Sequence, residues 1–217
     1  MTPHVAVLIP SAGQRALANL ARDAIAKFTE DVSHEVWLLD TKLDLEHGSQ
    51  MNGEALQRMI QGAGRRYSDR ISHFFVMHDD ALPIASGWLW YLLAQPGPVV
   101  GVKASERNGY AHASGVLFEY SFAVLHSMLP DLPRRDAGEW PGWCAPAYCN
   151  RVRLGDYGAR YWWGDFNCDV SFTTASPDGG DLSDPFYVHF GGGTLNRRPD
   201  TAAWIAAARK ALELSTI

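Results

Sequence analysis

The chain has 217 residues, 47% of them hydrophobic, which is enough for one well-buried domain and short for two. A formal net charge of -5 argues against a general polyanion binder, which carries a basic excess, so duplex DNA is not the expected partner. Three cysteines, Cys144, Cys149 and Cys168, are odd in number and lack paired C-x-x-C spacing, so free thiols are expected rather than a zinc site.

In chain order, residues 5–9 read as a buried strand ending at Pro10. From residue 14 to 28 the apolar positions Leu17, Leu20, Ala21, Ala24, Ile25 and Phe28 follow helical spacing and form a stripe that can pack on a sheet. A second strand spans 35–39 and ends at Asp40. Beyond a polar loop, Asn52 is placed to cap a helix carrying Leu56, Met59 and Ile60, with Glu54 in its first turn where the dipole favours an anion. The third strand, 72–77, runs into His78-Asp79-Asp80, and a Trp-rich helix is expected directly after it. Residues 99–103 and 116–118 read as further strands around a Gly- and Ser-containing loop. Past residue 130 the pattern loosens into Pro, Gly and aromatics, before a last strand at 186–189 and a helix from about 200 to 214.

Short apolar runs alternating with helical stripes predict an α/β fold, with a mainly parallel central sheet flanked by helices. Three strands then finish at Pro10-Ser11, at Asp40 and at Asp79-Asp80. In a parallel sheet those ends share one edge, where open α/β sheets bind ligands. An ionised carboxylate costs several kcal/mol to bury unless something positive meets it. Asp79 and Asp80 are therefore expected at the strand's exposed end, facing a cation or ligand, unless one caps the next helix and the other is solvated.

No basic segment precedes the first apolar run, which is shorter than a signal core of roughly 7 to 15 residues. The most membrane-like stretch, 81–94, is broken by Pro83 and Gly87 and falls short of the ~20 apolar residues a spanning helix needs. The expectation is a cytoplasmic protein with no membrane anchor.

With these elements in place, the sequence resembles the nucleotide-sugar glycosyltransferases of the GT-A fold, family 2 type, over roughly residues 4 to 195. "VAVLIPSAG" resembles the family's opening strand and turn, "EVWLLDT" its second strand, and "FFVMHDDALPIASGWL" its DxD strand with the Gly-Trp helix that follows. "HASGVLFEYS" is similar to its Gly-containing loop and strand, "WWGDFNCDVSF" to its acidic segment, and "FYVHFGGGT" to its late strand ending in a metal-binding histidine. The DxD position reads His78-Asp79-Asp80, and Gly164-Asp165 stands where the family has Glu-Asp.

The resemblance implies a single Rossmann-like GT-A domain over 1–217, with a nucleotide-binding half to about 103 and an acceptor-binding, catalytic half beyond. It implies a metal-dependent, inverting transfer of a sugar from a nucleotide-sugar donor, a UDP-sugar foremost, to an acceptor hydroxyl. Developing charge on the leaving diphosphate calls for a divalent cation, Mn²⁺ or Mg²⁺. By family position Asp80 and His189 are its ligands, and Asp79 bonds the ribose or a metal-bound water. The glycines at 191–193 favour that role for His189 over a hydrogen-bonded strand-end histidine, since they let backbone approach a ligand. Asp40 is matched to a base-edge hydrogen bond or to a turn, and Ser11 to a nucleoside contact. Arg58 serves the phosphates or a solvated helix face, and Arg197 and Arg198 a bidentate grip on the diphosphate or the surface. Asp165 matches the general base, and Asp169, one turn on if the stretch is helical, orients the acceptor. The alternative for this pair is a helix cap and a solvated acid. Trp140, Trp143, Trp162 and Trp163, half of the chain's eight tryptophans, form either a satellite core or an acceptor platform.

The acceptor class stays open among a protein, a small glycoside and a modified nucleic acid. Two other functions compete. One is a sugar-nucleotide nucleotidyltransferase, whose Gly-rich loop "SAGQR" resembles but without the further glycine and lysine of a triphosphate site. The other is a non-catalytic glycan or nucleotide-sugar binding module.

Overall fold

In the computed structural model the described residues are 2–11, 13–40, 48–66, 70–95, 97–101, 104–105, 110–112, 115–127, 151–153, 160–161, 165–167, 187–190 and 199–214. Their elements begin with β1 (His4–Ser11), α1 (Arg15–Phe28), β2 (Ser33–Asp40), α2 (Gly48–Arg66), β3 (His73–Met77), β4 (Ala81–Pro83) and α3 (Trp88–Leu93). Then come β5 (Val99–Gly101), β6 (Ala104–Ser105), β7 (Tyr110–His112), β8 (Gly115–Glu119) and α4 (Tyr120–Ser127). Last are β9 (Arg151–Arg153), β10 (Arg160–Tyr161), β11 (Asp165–Asn167), β12 (Tyr187–His189) and α5 (Thr201–Ala211).

The central sheet has the order β10-β5-β8-β3-β1-β2. β1 pairs in parallel with β2 and with β3, and β10 with β5, whereas β8 runs antiparallel to both β3 and β5. Five strands thus share one direction and a single reversed strand is inserted among them, which matches the mainly parallel sheet expected.

Alternation within continuous apolar strands explains why the sheet is covered on both faces. Val5, Val7 and Ile9 of β1, with Phe75 and Met77 of β3, join one core that takes in Leu17, Leu20 and Ala21 of α1, Trp88 of α3 and Trp204 of α5. Ala6, Leu8, Phe74 and Val76 point the other way, into a second core with Leu56, Met59 and Ile60 of α2 and Ala123 of α4. Each buried large side chain contributes roughly 1.5–3 kcal/mol relative to exposure.

Several expectations are corrected. α2 starts at Gly48, so Asn52 and Glu54 lie inside the helix rather than at its cap and first turn. No breaker interrupts residues 49–51, and extending an existing helix is far easier than nucleating one. The Trp-rich helix does not follow Asp80 directly. β4 intervenes, tolerating Pro83 because it is an edge strand, and Gly87 at φ 82° turns the chain into α3. Residues 165–167, considered as helix, form strand β11, paired in parallel with β12.

A smaller sheet, β11-β12-β4, adjoins the C-terminal ends of the parallel strands, and β12 is antiparallel to β4 with His189 opposite Ala81. Aromatic contacts anchor it. Phe75 meets Trp88 edge-on at 4.8 Å and Tyr187 at 6.0 Å, and Phe190 stacks on Trp204 at 4.5 Å and 11°. A third sheet has the order β6-β7-β9.

Candidate metal centre

The site is built from strand ends. Because β1 and β2 are parallel, with Ser11 paired to Asp40, and Leu8 of β1 is level with Val76 of β3, all three strands deliver their C-terminal residues to one edge. Beyond Met77 the chain leaves the sheet through His78-Asp79-Asp80, turns, and enters β4. β12 then lies along β4, and the Phe190 N–H donates to the Asp80 carbonyl at 2.8 Å, closing the ladder beside the turn. This pairing carries His189 from the far end of the chain to the carboxylate of Asp80.

Burial overturns one expectation: Asp79 is 0% and Asp80 1% exposed, so neither is a solvated strand end. A hydrogen bond offsets part of the cost of desolvation at Asp79, and at Asp80 two imidazoles come near the carboxylate. The buried Ser11 hydroxyl donates to Asp79 Oδ2 at 2.8 Å. Asp80 Oδ1 faces His189 Nε2 at 3.3 Å and His78 Nδ1 at 4.0 Å, and the two imidazoles meet edge-to-face with centroids 6.0 Å apart. His78 and His189 are themselves buried, at 9% and 7% exposure.

His78, Asp80 and His189 thus offer two imidazole nitrogens and one carboxylate oxygen, all within 4.8 Å of one another. Metal–ligand bonds of about 2.0–2.2 Å place neighbouring donors near 3 Å and opposed donors a little over 4 Å apart. The group fits a single divalent cation. His78 is a member of this candidate group that the sequence reading did not name. Its signal in the sequence was adjacency, since His78 directly precedes Asp79 and Asp80 at the end of β3.

Asp40 is exposed at the end of β2. Gly13, at φ 85°, lies so close that a Cβ there would stand 3.5 Å from Asp40 Oδ1. Arg58 is exposed on α2. Asp165 opens β11 opposite Tyr187, and Asn167 stands opposite His189, which sets the β11 backbone beside β12. Asp169, Arg197, Arg198, Trp140, Trp143, Trp162 and Trp163 lie outside the described residues. Among the described residues no helix is long and apolar enough to cross a membrane.

A mainly parallel sheet with one reversed strand, and a His-Asp-His group that could hold a metal where its strands end, match the GT-A fold of solved glycosyltransferase structures. A glycosyltransferase involved in the glycosylation of the major capsid of PBCV-1 superposes with a TM-score of 0.53 at 12% identity, over 97% of this chain and 99% of that one. Galactosyltransferase LgtC, in complex with donor and acceptor sugar analogs, gives 0.52 at 11% identity, over 99% and 97%. A mutant of Drosophila β1,4-galactosyltransferase 7, in complex with manganese, UDP-Gal and xylobiose, gives 0.50 at 14% identity, over 91% and 74%. No protein-family model and no curated protein sequence matches the chain.

Proposed function

We propose that this chain is a metal-dependent glycosyltransferase that moves a sugar from a UDP-sugar to an acceptor hydroxyl with inversion. The observation that carries the reading is the buried His78–Asp80–His189 group at the C-terminal edge of a GT-A sheet. Manganese and UDP-Gal in the Drosophila structure of the same fold support it.

A bound divalent cation would neutralise the charge that builds on the diphosphate as the glycosidic bond breaks. His78, Asp80 and His189 would hold it. Ser11 fixes the Asp79 carboxylate and keeps the turn in shape, with Asp79 serving the ribose or a metal-bound water. Asp40, exposed at the strand end beside Gly13, accepts a hydrogen bond from the base edge. Arg58, Arg197 and Arg198 are assigned to the diphosphate. Asp165 takes the acceptor's proton as its oxygen attacks the anomeric carbon, and Asp169 orients that acceptor. Trp140, Trp143, Trp162 and Trp163 supply a stacking platform for it.

Incubation with a panel of nucleotide sugars and Mn²⁺, followed by NMR of the free sugar, tests the reading. Slow, EDTA-sensitive donor hydrolysis is expected, because a transferase without acceptor leaks sugar to water. Tight nucleotide binding with no sugar released would identify a binding module instead, and turnover only with a nucleoside triphosphate would identify a nucleotidyltransferase.

A further inference from the structure

We infer that His78 is a third protein ligand and that its imidazole makes this centre select first-row transition cations over Mg²⁺. The inference rests on the glycosyltransferase reading above for the existence of the cation and goes beyond it in naming which cation and which residue decides. Among the described residues the donor set contains a single carboxylate, Asp80, between two buried imidazoles: His189 Nε2 at 3.3 Å and His78 Nδ1 at 4.0 Å from the same Oδ1. A carboxylate at 78 would give the site two formal negative charges and two hard oxygens. His78 instead leaves one of each.

Mg²⁺ demands near-ideal octahedral oxygen coordination and sheds water reluctantly, so it gains little from imidazole and depends on ligand charge. Transition divalents bind imidazole nitrogen well, with affinity rising from Mn²⁺ through Fe²⁺ and Co²⁺. Replacing a carboxylate by a neutral imidazole therefore weakens Mg²⁺ more than Mn²⁺ and Mn²⁺ more than Co²⁺. The site is also set for this. Both rings are largely withdrawn from water, and β12 is pinned by the Phe190–Trp204 stack and by the pairing of His189 with Ala81. The two nitrogens are thus held near the carboxylate before a cation arrives, which suits an ion that rewards nitrogen donors.

The test is pulsed EPR of the Mn²⁺-loaded protein together with calorimetric titration by Mg²⁺, Mn²⁺ and Co²⁺, each independent of turnover. Two imidazole nitrogens coupled to Mn²⁺ are expected in the parent and one in His78→Asp. Affinity should rise from Mg²⁺ to Mn²⁺ by at least ~10-fold and again to Co²⁺, and His78→Asp should narrow the Mg²⁺-to-Mn²⁺ gap. A single coupled nitrogen in the parent, or equal Mg²⁺ and Mn²⁺ affinities, overturns the inference. The nitrogen count in the unmodified protein decides even if the variant folds poorly. Manganese bound through one imidazole with donor hydrolysis intact would sink this inference and leave the glycosyltransferase reading standing. Two imidazoles with the expected selectivity but no donor hydrolysis would do the reverse.

Discussion

Asp80→Asn separates a metal ligand from a structural acid, because the two roles predict opposite effects on stability. The side chain is 1% exposed, and an ionised carboxylate in such a place costs several kcal/mol before its partners offset it. An amide of the same shape carries no such cost. Without metal, the variant should therefore melt within about 2 °C of the parent or above it. With metal the order reverses. At a Mn²⁺ concentration 100 times its dissociation constant, the parent gains ~2.7 kcal/mol. For a chain of 217 residues each kcal/mol moves the midpoint by about 2–4 °C, giving a rise of roughly 5–11 °C. Loss of the carboxylate that the described donors supply should weaken binding by ~100-fold or more, since even residues behind a metal ligand cost 10–100-fold. That leaves ~0.4 kcal/mol, a rise of about 1–2 °C. Differential scanning fluorimetry in EDTA and in Mn²⁺ reads both numbers. The reasoning is refuted if Asp80→Asn keeps the parent's full Mn²⁺-induced rise, or if in EDTA it melts more than ~5 °C below the parent, as a residue held by a structural ion pair would.

Asp165→Asn should abolish transfer while leaving Mn²⁺ and nucleotide affinity unchanged, and the wild-type product should show inverted anomeric configuration by NMR. Retention in the product would rule out a single displacement with one base. Trp204→Ala removes the fully buried partner of Phe190 and should cost ~3–5 kcal/mol by urea unfolding, with weaker Mn²⁺ binding through His189; a loss below ~1 kcal/mol would show that the stack does not support the site. Burial lowers the pKa of His73 from its ordinary 6.5, opposed by the nearby Glu119 carboxylate. The folded protein then binds fewer protons than the unfolded chain, so stability is full above 6.5 and falls as pH drops through it. His73→Gln should flatten that acid limb in unfolding curves taken from about pH 7 to about pH 5, and an unchanged limb would mean that other groups produce it.

Local chemistry made much of the frame legible. The odd and even residues of 5–9 and 74–77 are apolar in both sets, which only a strand covered on two faces requires, and the stripe from Leu17 to Phe28 could only be a helix lying on it. That three such strands end in Ser11, Asp40 and Asp79-Asp80 follows from the chain itself, as does a ligand-binding edge if they are parallel. Less followed for the turn beyond β3. Acidity at 79 and 80 suggested exposure by the cost of burying charge, yet burial depends on what other segments bring. Here these are the Ser11 hydroxyl for Asp79 and the His189 imidazole for Asp80.

What the sequence alone determined, then, was the periodicity of its strands and helices and the kind of residue at each strand end, because those depend on neighbours a few positions away. What only the tertiary structure decided was the reversal of β8 within a parallel sheet, the strand at 165–167, and the approach of His189 to His78 and Asp80. Each depends on a pairing between distant segments, above all β12 on β4. A three-residue strand has too few positions to show a period, and its place is set by the backbone hydrogen bonds and aromatic contacts it finds once the larger sheet has formed.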